Sequence, residues 1–158
     1  MTAMGAIEGS ALGQAMRQSL WLFPAVEIVH ICGIALLVGS IAVLDLRLLG
    51  FSRNRSVRSL AAHALPWTIG SFLLILPSGF AMFVAHAGDL IASPVFALKI
   101  CLIMAAGTNA AVFHAGVFRG AAQWDANVMP PDAARAAAAL SLLLCISAIA
   151  FGRLLAYV

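Results

Sequence analysis

The chain has 158 residues, of which 63% are hydrophobic and 9% are charged, whereas soluble domains carry about one-quarter charged residues. This composition excludes a soluble globular protein. The net charge of +3 does not indicate nucleic-acid binding, because the arginines lie beside apolar stretches and form no patch with interleaved aromatic residues.

Apolar stretches long enough to cross the hydrocarbon core of a bilayer recur along the chain. The predicted spans are residues 20–48, 60–87, 94–118 and 134–157. Residues 20–158 therefore form one predicted transmembrane domain. Residues 1–19 form an N-terminal segment that either lies in the membrane interface as a helix or is disordered. This segment lacks a basic region before an apolar core, so no removed signal peptide is predicted.

The first span carries Glu27, His30, Asp45 and Arg47 among its apolar residues. Ionisable groups within a membrane helix almost always face the bundle interior or a wet cavity. On a helical wheel Glu27 and Asp45 point the same way, and His30 lies about 60° from both. This polar stripe is predicted to meet the other helices.

The later spans carry helix signals of their own. The second span contains Pro66 and Pro77, which are expected to kink it. Ser93 followed by Pro94 is typical of a cap and first turn, and begins the third span. Asp132 is expected to cap the fourth span. These signals predict an all-α fold.

Basic residues indicate the orientation of the spans. The arginines that flank the first and third connections are Arg47, Arg53, Arg55, Arg58, Arg119 and Arg135. By the positive-inside rule both connections are cytoplasmic. We therefore predict a membrane four-helix bundle with up-down-up-down order and both termini on the periplasmic side of a bacterial inner (cytoplasmic) membrane.

Counting residues inward from these arginines predicts which polar groups share a level in the membrane. Four groups come to one level in the outer half of the bilayer: Glu27, His30, Lys99 and Arg153. Three interpretations remain open. The groups form a structural ion-pair network, or they bind an anionic or quinone-like ligand with Glu27 or His30 relaying protons, or Lys99 and Arg153 reach outer water independently.

A second constellation is the pair His63 and His114, which lie five residues inward from Arg58 and Arg119 respectively. Two histidines at one height on neighbouring helices can ligate a haem iron from both sides. The alternative is that each is an interfacial or hydrogen-bonded residue near a helix end.

Several segments of the chain resemble a family of small bacterial four-span integral membrane proteins of unknown function. The segments are WLFPAVEIVH, GIALLVGS, DLRLLG, LPWT, SPVFALK, NAAVFH and GRLLAYV. The polar positions of the family match Glu27, His30, Asp45, Arg47, Lys99, Asn109, His114 and Arg153, whereas His63 and His86 are not part of its pattern. The resemblance implies the four-span fold and topology, and it implies no particular activity.

These patterns predict a small integral membrane electron-transfer subunit that binds b-type haem or interacts with a quinone. Lys99 and Arg153 would hold propionate or quinone oxygens. His63 with His114, or His30 alone, would ligate the iron. The expected surroundings are the lipid bilayer and a membrane or periplasmic redox partner.

Two other functions remain open. One is a haem-free accessory or scaffold subunit whose buried polar cluster is structural. The other is a component of an ion-coupled transporter, which would need a homo-oligomer to enclose a path. The sequence contains no nucleophile constellation and no CxxC pair, so no catalytic residue is predicted and no enzyme activity is expected of the chain alone.

Overall fold

The computed structural model describes residues 3–155 and residue 157, and helices are the only regular secondary structure in these residues. In chain order, α1 to α7 are Ala3–Glu8, Ala11–Gln18, Leu22–Leu48, Val57–Ala85, Ala87–Ala92, Pro94–Ala115 and Asp132–Leu154, and a 3-10 helix, Val117–Trp124, lies between α6 and α7. The predicted all-α fold class is confirmed.

Helices α3, α4, α6 and α7 are each long and apolar enough to cross a membrane. The chain is therefore a multi-pass membrane protein with a helical bundle, as the composition predicts. The structure keeps α4 as one helix across both of its prolines.

The ends of these helices have local causes. Helix α4 begins earlier than predicted because the Ser56 hydroxyl accepts a hydrogen bond from the backbone N–H of Ser59 at 3.0 Å. Helix α6 begins as predicted, with the Ser93 hydroxyl accepting from the backbone N–H of Phe96. The predicted cap at Asp132 is wrong, because this residue lies inside α7 and its carboxylate instead pairs with Arg135 at 3.0 Å.

The spans pack as two pairs, α3 with α4 and α6 with α7, and α3 also packs on α7. A Cβ atom at Gly33 would lie 2.8 Å from Cγ1 of Ile75, so a glycine is required where α3 approaches α4. Among the described residues, the backbones of α4 and α6 do not come as close to each other as those of α3 and α4. The stacked rings of Phe83 and Phe96 bridge α4 and α6 instead.

The N-terminal helices α1 and α2 pack on α4 and α5. The Arg17 guanidinium donates to the carbonyl of Ala85 at 2.8 Å and to the carbonyl of Glu8 at 2.6 Å. The Glu8 carboxylate in turn accepts from the backbone N–H of Gly88 at 2.7 Å. Residues 3–18 therefore form two short helices, joined at Gly9 and Ser10, that are attached to the end of the bundle opposite Arg47.

We call residues 47–58 together with residues 117–135 the arginine-rich end. Arg47 lies at its centre and is only 1% exposed. Its guanidinium donates to the carbonyl of Arg55 at 2.7 Å, to that of Asp125 at 2.6 Å and to that of Arg53 at 3.2 Å. Gly50, with φ +106°, ends α3 and turns the chain towards these acceptors.

The main cluster of buried apolar residues surrounds the same end. Its members come from α3, α4, α6, the 3-10 helix and α7, and are Leu48, Val57, Phe113, Ala121, Trp124, Ala134 and Ala138. The main buried apolar cluster of the bundle thus lies beside Arg47.

Asp125 caps α4 from a distant part of the chain. Its carboxylate accepts from the backbone N–H of Arg58 and from the Ser56 hydroxyl, both at 2.9 Å. The first N–H groups of a helix lack partners within the helix, so the negative charge is well placed. These hydrogen bonds, led by that of Arg58, lower the pKa of Asp125.

We expect Arg47→Met to lower the free energy of unfolding by about 3 kcal/mol, because buried carbonyls lose their charged donor. The measurement is unfolding in detergent followed by circular dichroism. Arg55→Met is the control, since the Arg55 guanidinium makes no hydrogen bond to the described residues. Equal losses from the two variants would contradict the role of Arg47.

We expect Asp125→Asn to lower stability by about 1 kcal/mol at pH 7, since it removes a charged helix cap. The folded-state pKa of Asp125 lies below its unfolded value. Its contribution is therefore fully present above the unfolded pKa and is lost as the pH falls through the folded pKa.

The difference between Asp125→Asn and the unsubstituted protein should accordingly shrink in acid, which unfolding at pH 7 and at low pH measures. Asp132→Asn serves as the control, because its pair with Arg135 is exposed and contributes little. A difference that does not depend on pH would refute this role for Asp125.

Candidate functional site

His30 on α3 is held by α4. Its Nδ1 lies 2.9 Å from the Ser78 hydroxyl oxygen, and that hydroxyl donates its hydrogen to the carbonyl of Leu74. Since a hydroxyl has one hydrogen, its oxygen accepts from Nδ1–H of His30. The Nε2 atom of the neutral imidazole therefore carries the free lone pair.

Lys99 on α6 is close enough to His30 for the two groups to interact electrostatically. The Lys99 side chain is half-buried and lies along Gly152 of α7, where a Cβ atom would be 3.4 Å from both Cε and Nζ. Within residues 3–155 and 157 the ammonium group makes no hydrogen bond or ion pair. A half-buried cation without an acceptor is costly in a membrane.

All four spans contribute to this place, which we call the His30–Lys99 site. Helix α3 supplies His30, α4 supplies Ser78 and Gly79, α6 supplies Lys99, and α7 supplies Gly152. A Cβ atom at Gly79 would lie 3.0 Å from Cε1 of His30, so both glycines make room for the polar side chains.

Sequence reasoning missed Ser78, Gly79 and Gly152. The available signal for Ser78 and Gly79 was that they are two small residues directly after Pro77. A proline makes a helical wheel unreliable, so the direction of these two residues could not be assigned. Gly152 is next to Arg153, which the depth count did single out.

The other two predicted members, Glu27 and Arg153, form no ion pair with Lys99 within the described residues. Arg153 is exposed, donates to the Tyr157 hydroxyl at 2.9 Å and lies over that ring at 5.1 Å from its centroid. Glu27 is half-buried and makes no ion pair among the described residues. The grouping of all four residues at one level stays a prediction, and the structure shows an electrostatic interaction between His30 and Lys99.

Asp45 is the second residue of the polar stripe of α3, after His30, that meets another span. It is 6% exposed, and its Oδ2 atom has no hydrogen-bond partner among the described residues. Ser141 and Cys145 of α7 lie beside the carboxylate. The stripe thus meets α4 at His30 and α7 at Asp45.

His63 and His114 line different cavities. His63 faces an open cavity of about 360 Å³ between α3 and α4, together with Ser40 and Trp67. His114 faces one of about 290 Å³ between α4 and α6. These cavities lie on different faces of α4, and ligation of one haem iron by both histidines stays a prediction.

His114 is held by aromatic rings. It lies edge-on to Phe113 and to Phe118, with ring centroids 5.2 and 5.0 Å away. Within residues 3–155 and 157 its ring nitrogens make no hydrogen bond, and no group of three or more His, Cys, Asp and Glu side chains is arranged to hold a metal ion.

No protein family, curated protein or solved structure matches this chain. The resemblance to the four-span family of unknown function stays a prediction. Function must therefore be inferred from the residues themselves.

Proposed function

We propose that the protein is a small electron-transfer subunit that interacts with a quinone, and that the His30–Lys99 site holds the quinone head. The supporting observation is that the half-buried Lys99 ammonium interacts electrostatically with His30 and has no acceptor from the described residues. A neutral ligand rich in carbonyl oxygens satisfies such a donor without introducing another charge into the membrane.

The two side chains have different tasks in this proposal. Lys99 donates hydrogen bonds from its ammonium group to a quinone carbonyl oxygen. His30, fixed by Ser78 through Nδ1, uses Nε2 to exchange a proton with the ligand. The quinone itself supplies reversible two-electron, two-proton redox chemistry.

The placement in the membrane is part of the proposal. The protein lies in the bacterial inner membrane, with up-down-up-down spans and the arginine-rich end in the cytoplasm, so that both termini are periplasmic. The positive-inside rule supports this orientation. The His30–Lys99 site then lies in the outer half of the bilayer, where a membrane or periplasmic redox partner exchanges electrons with it.

Haem b is the other cofactor that this function allows, with His63 and His114 as iron ligands. We place it second, because these histidines line separate cavities. Protein expressed with haem supplementation is expected to show no Soret band after purification. An absorption spectrum with a reducible b-type signal would reverse this order.

The remaining alternatives have less support. An ion-coupled transporter component is disfavoured because α4 is a single uninterrupted helix, whereas transporter sites typically use broken helices. A haem-free scaffold requires the polar groups to fasten the spans, yet Glu27 and Arg153 do not pair with Lys99 within the described residues.

Titration of the detergent-solubilised protein with ubiquinone-1 and with menadione tests the proposal. We expect one quinone per chain, and we expect Lys99→Met to raise the Kd about tenfold or more, since a charged hydrogen bond is lost. His30→Asn should weaken binding similarly. Lys99→Arg, which keeps the positive charge, should recover part of the affinity.

The controls are Arg55→Met, which removes a charge elsewhere, and His86→Asn. His86 lies edge-on to Phe23 at 5.6 Å, away from Ser78. Neither control should change the Kd. Failure of the unsubstituted protein to bind either quinone would exclude the proposed function. Retention of host function by a folded Lys99→Met/Glu27→Gln protein would favour the scaffold.

A further inference from the structure

The cavity between α4 and α6 has apolar walls and basic groups. Its walls are formed by Ala61, Ala62, Leu65 and Phe118, and it has a volume of about 290 Å³. The polar side chains that line it are Arg58 and His114, and no carboxylate lines it. We call it the α4–α6 cavity.

Arg58 and His114 both retain hydrogen-bonding capacity. The exposed Arg58 guanidinium makes no hydrogen bond within the described part of the chain. Asp125 is close enough to interact electrostatically with it, but that carboxylate already accepts from Ser56 and from the backbone N–H of Arg58. An anion in the cavity therefore meets the side-chain hydrogen-bond donors of Arg58 and His114, which make no other hydrogen bond within the described residues.

The surface around the cavity is also positively charged. Arg53, Arg55 and Arg119 are exposed at the arginine-rich end. Of the nearby acids, Asp132 is paired with Arg135. The charge of this end complements a negatively charged molecule.

The shape of the cavity distinguishes among anions. It lies between two spans that are bridged by side chains, and Leu65 on its wall is 45% exposed. The walls beyond Arg58 offer apolar surface along α4, which a free inorganic anion cannot use. A molecule that joins a phosphate to a hydrocarbon chain fits both parts.

We infer that the α4–α6 cavity binds one anionic phospholipid. The phosphate accepts hydrogen bonds from the Arg58 guanidinium, a donor suited to phosphate geometry. An ester oxygen of the glycerol backbone accepts from the ring N–H of His114. One acyl chain lies along Ala61, Ala62 and Leu65. Basic pockets between membrane helices are known to take acidic headgroups in this manner.

Native mass spectrometry of the full chain in detergent tests this inference, with phosphatidylglycerol and phosphatidylcholine of identical acyl chains as probes. We expect one phosphatidylglycerol to bind at concentrations at least fivefold below those needed for phosphatidylcholine. Arg58→Gln should abolish most of this preference. The matched control is Arg55→Gln, which removes a charge from the arginine-rich end three residues earlier in the chain and does not line the cavity, and it should leave the preference intact.

A second pair of variants tests the acyl chain. Ala62→Phe fills the cavity without changing charge and should remove the bound phosphatidylglycerol. Ile69→Phe places the same ring on an exposed part of α4 outside the cavity and should have no effect. Glycerophosphoglycerol, which is the headgroup without acyl chains, should not compete. Should Ala62→Phe fail to fold, the contrast between Arg58→Gln and Arg55→Gln decides the question.

Three results would overturn the inference. Equal binding of the two lipids would remove the role of charge. Equal losses in Arg58→Gln and Arg55→Gln would show diffuse attraction to a basic surface instead of a site. Competition by glycerophosphoglycerol, or full binding to a folded Ala62→Phe protein, would show that the cavity walls take no part.

Discussion

Burial of the Arg47 guanidinium is the interaction on which the arrangement of the spans depends. The chain between α3 and α4 and the chain between the 3-10 helix and α7 are irregular, so their carbonyl groups need partners from outside a helix. Arg47 supplies donors to both segments at once, through the carbonyls of Arg55 and Asp125. Asp125 then caps α4 through its carboxylate. One buried cation thereby fixes where α3 ends, where α4 begins and how the connection before α7 lies against them.

Much of this fold could be predicted because lipid imposes simple demands on a chain. A span must be long and apolar, and the signals at Ser93 and Pro94 mark one of its ends correctly. The role of Arg47 could not be predicted, because Arg47 and Arg55 look alike in the sequence and both mark the same orientation. Only the packing of distant segments decides that one is 1% exposed while the other reaches solvent.

The candidate site shows what counting along helices can and cannot supply. Counting gives height, and the structure shows His30 and Lys99 close enough to interact electrostatically. It does not give the direction in which a side chain points, so Gly152, not Arg153, lies along Lys99. The same limitation applies to His63 and His114, which have equal counts but face different cavities.

The exposed apolar face of α4 has a consequence for how the spans are held together. The apolar cluster lies beside Arg47, whereas in the middle of α4 large side chains such as Leu73 and Leu76 are 79% and 64% exposed. In a bilayer such side chains contact acyl chains, which are as apolar as leucine, so no hydrophobic force draws them towards another helix. Association of the spans depends instead on close contacts at small residues, such as Gly33 of α3 against Ile75 of α4.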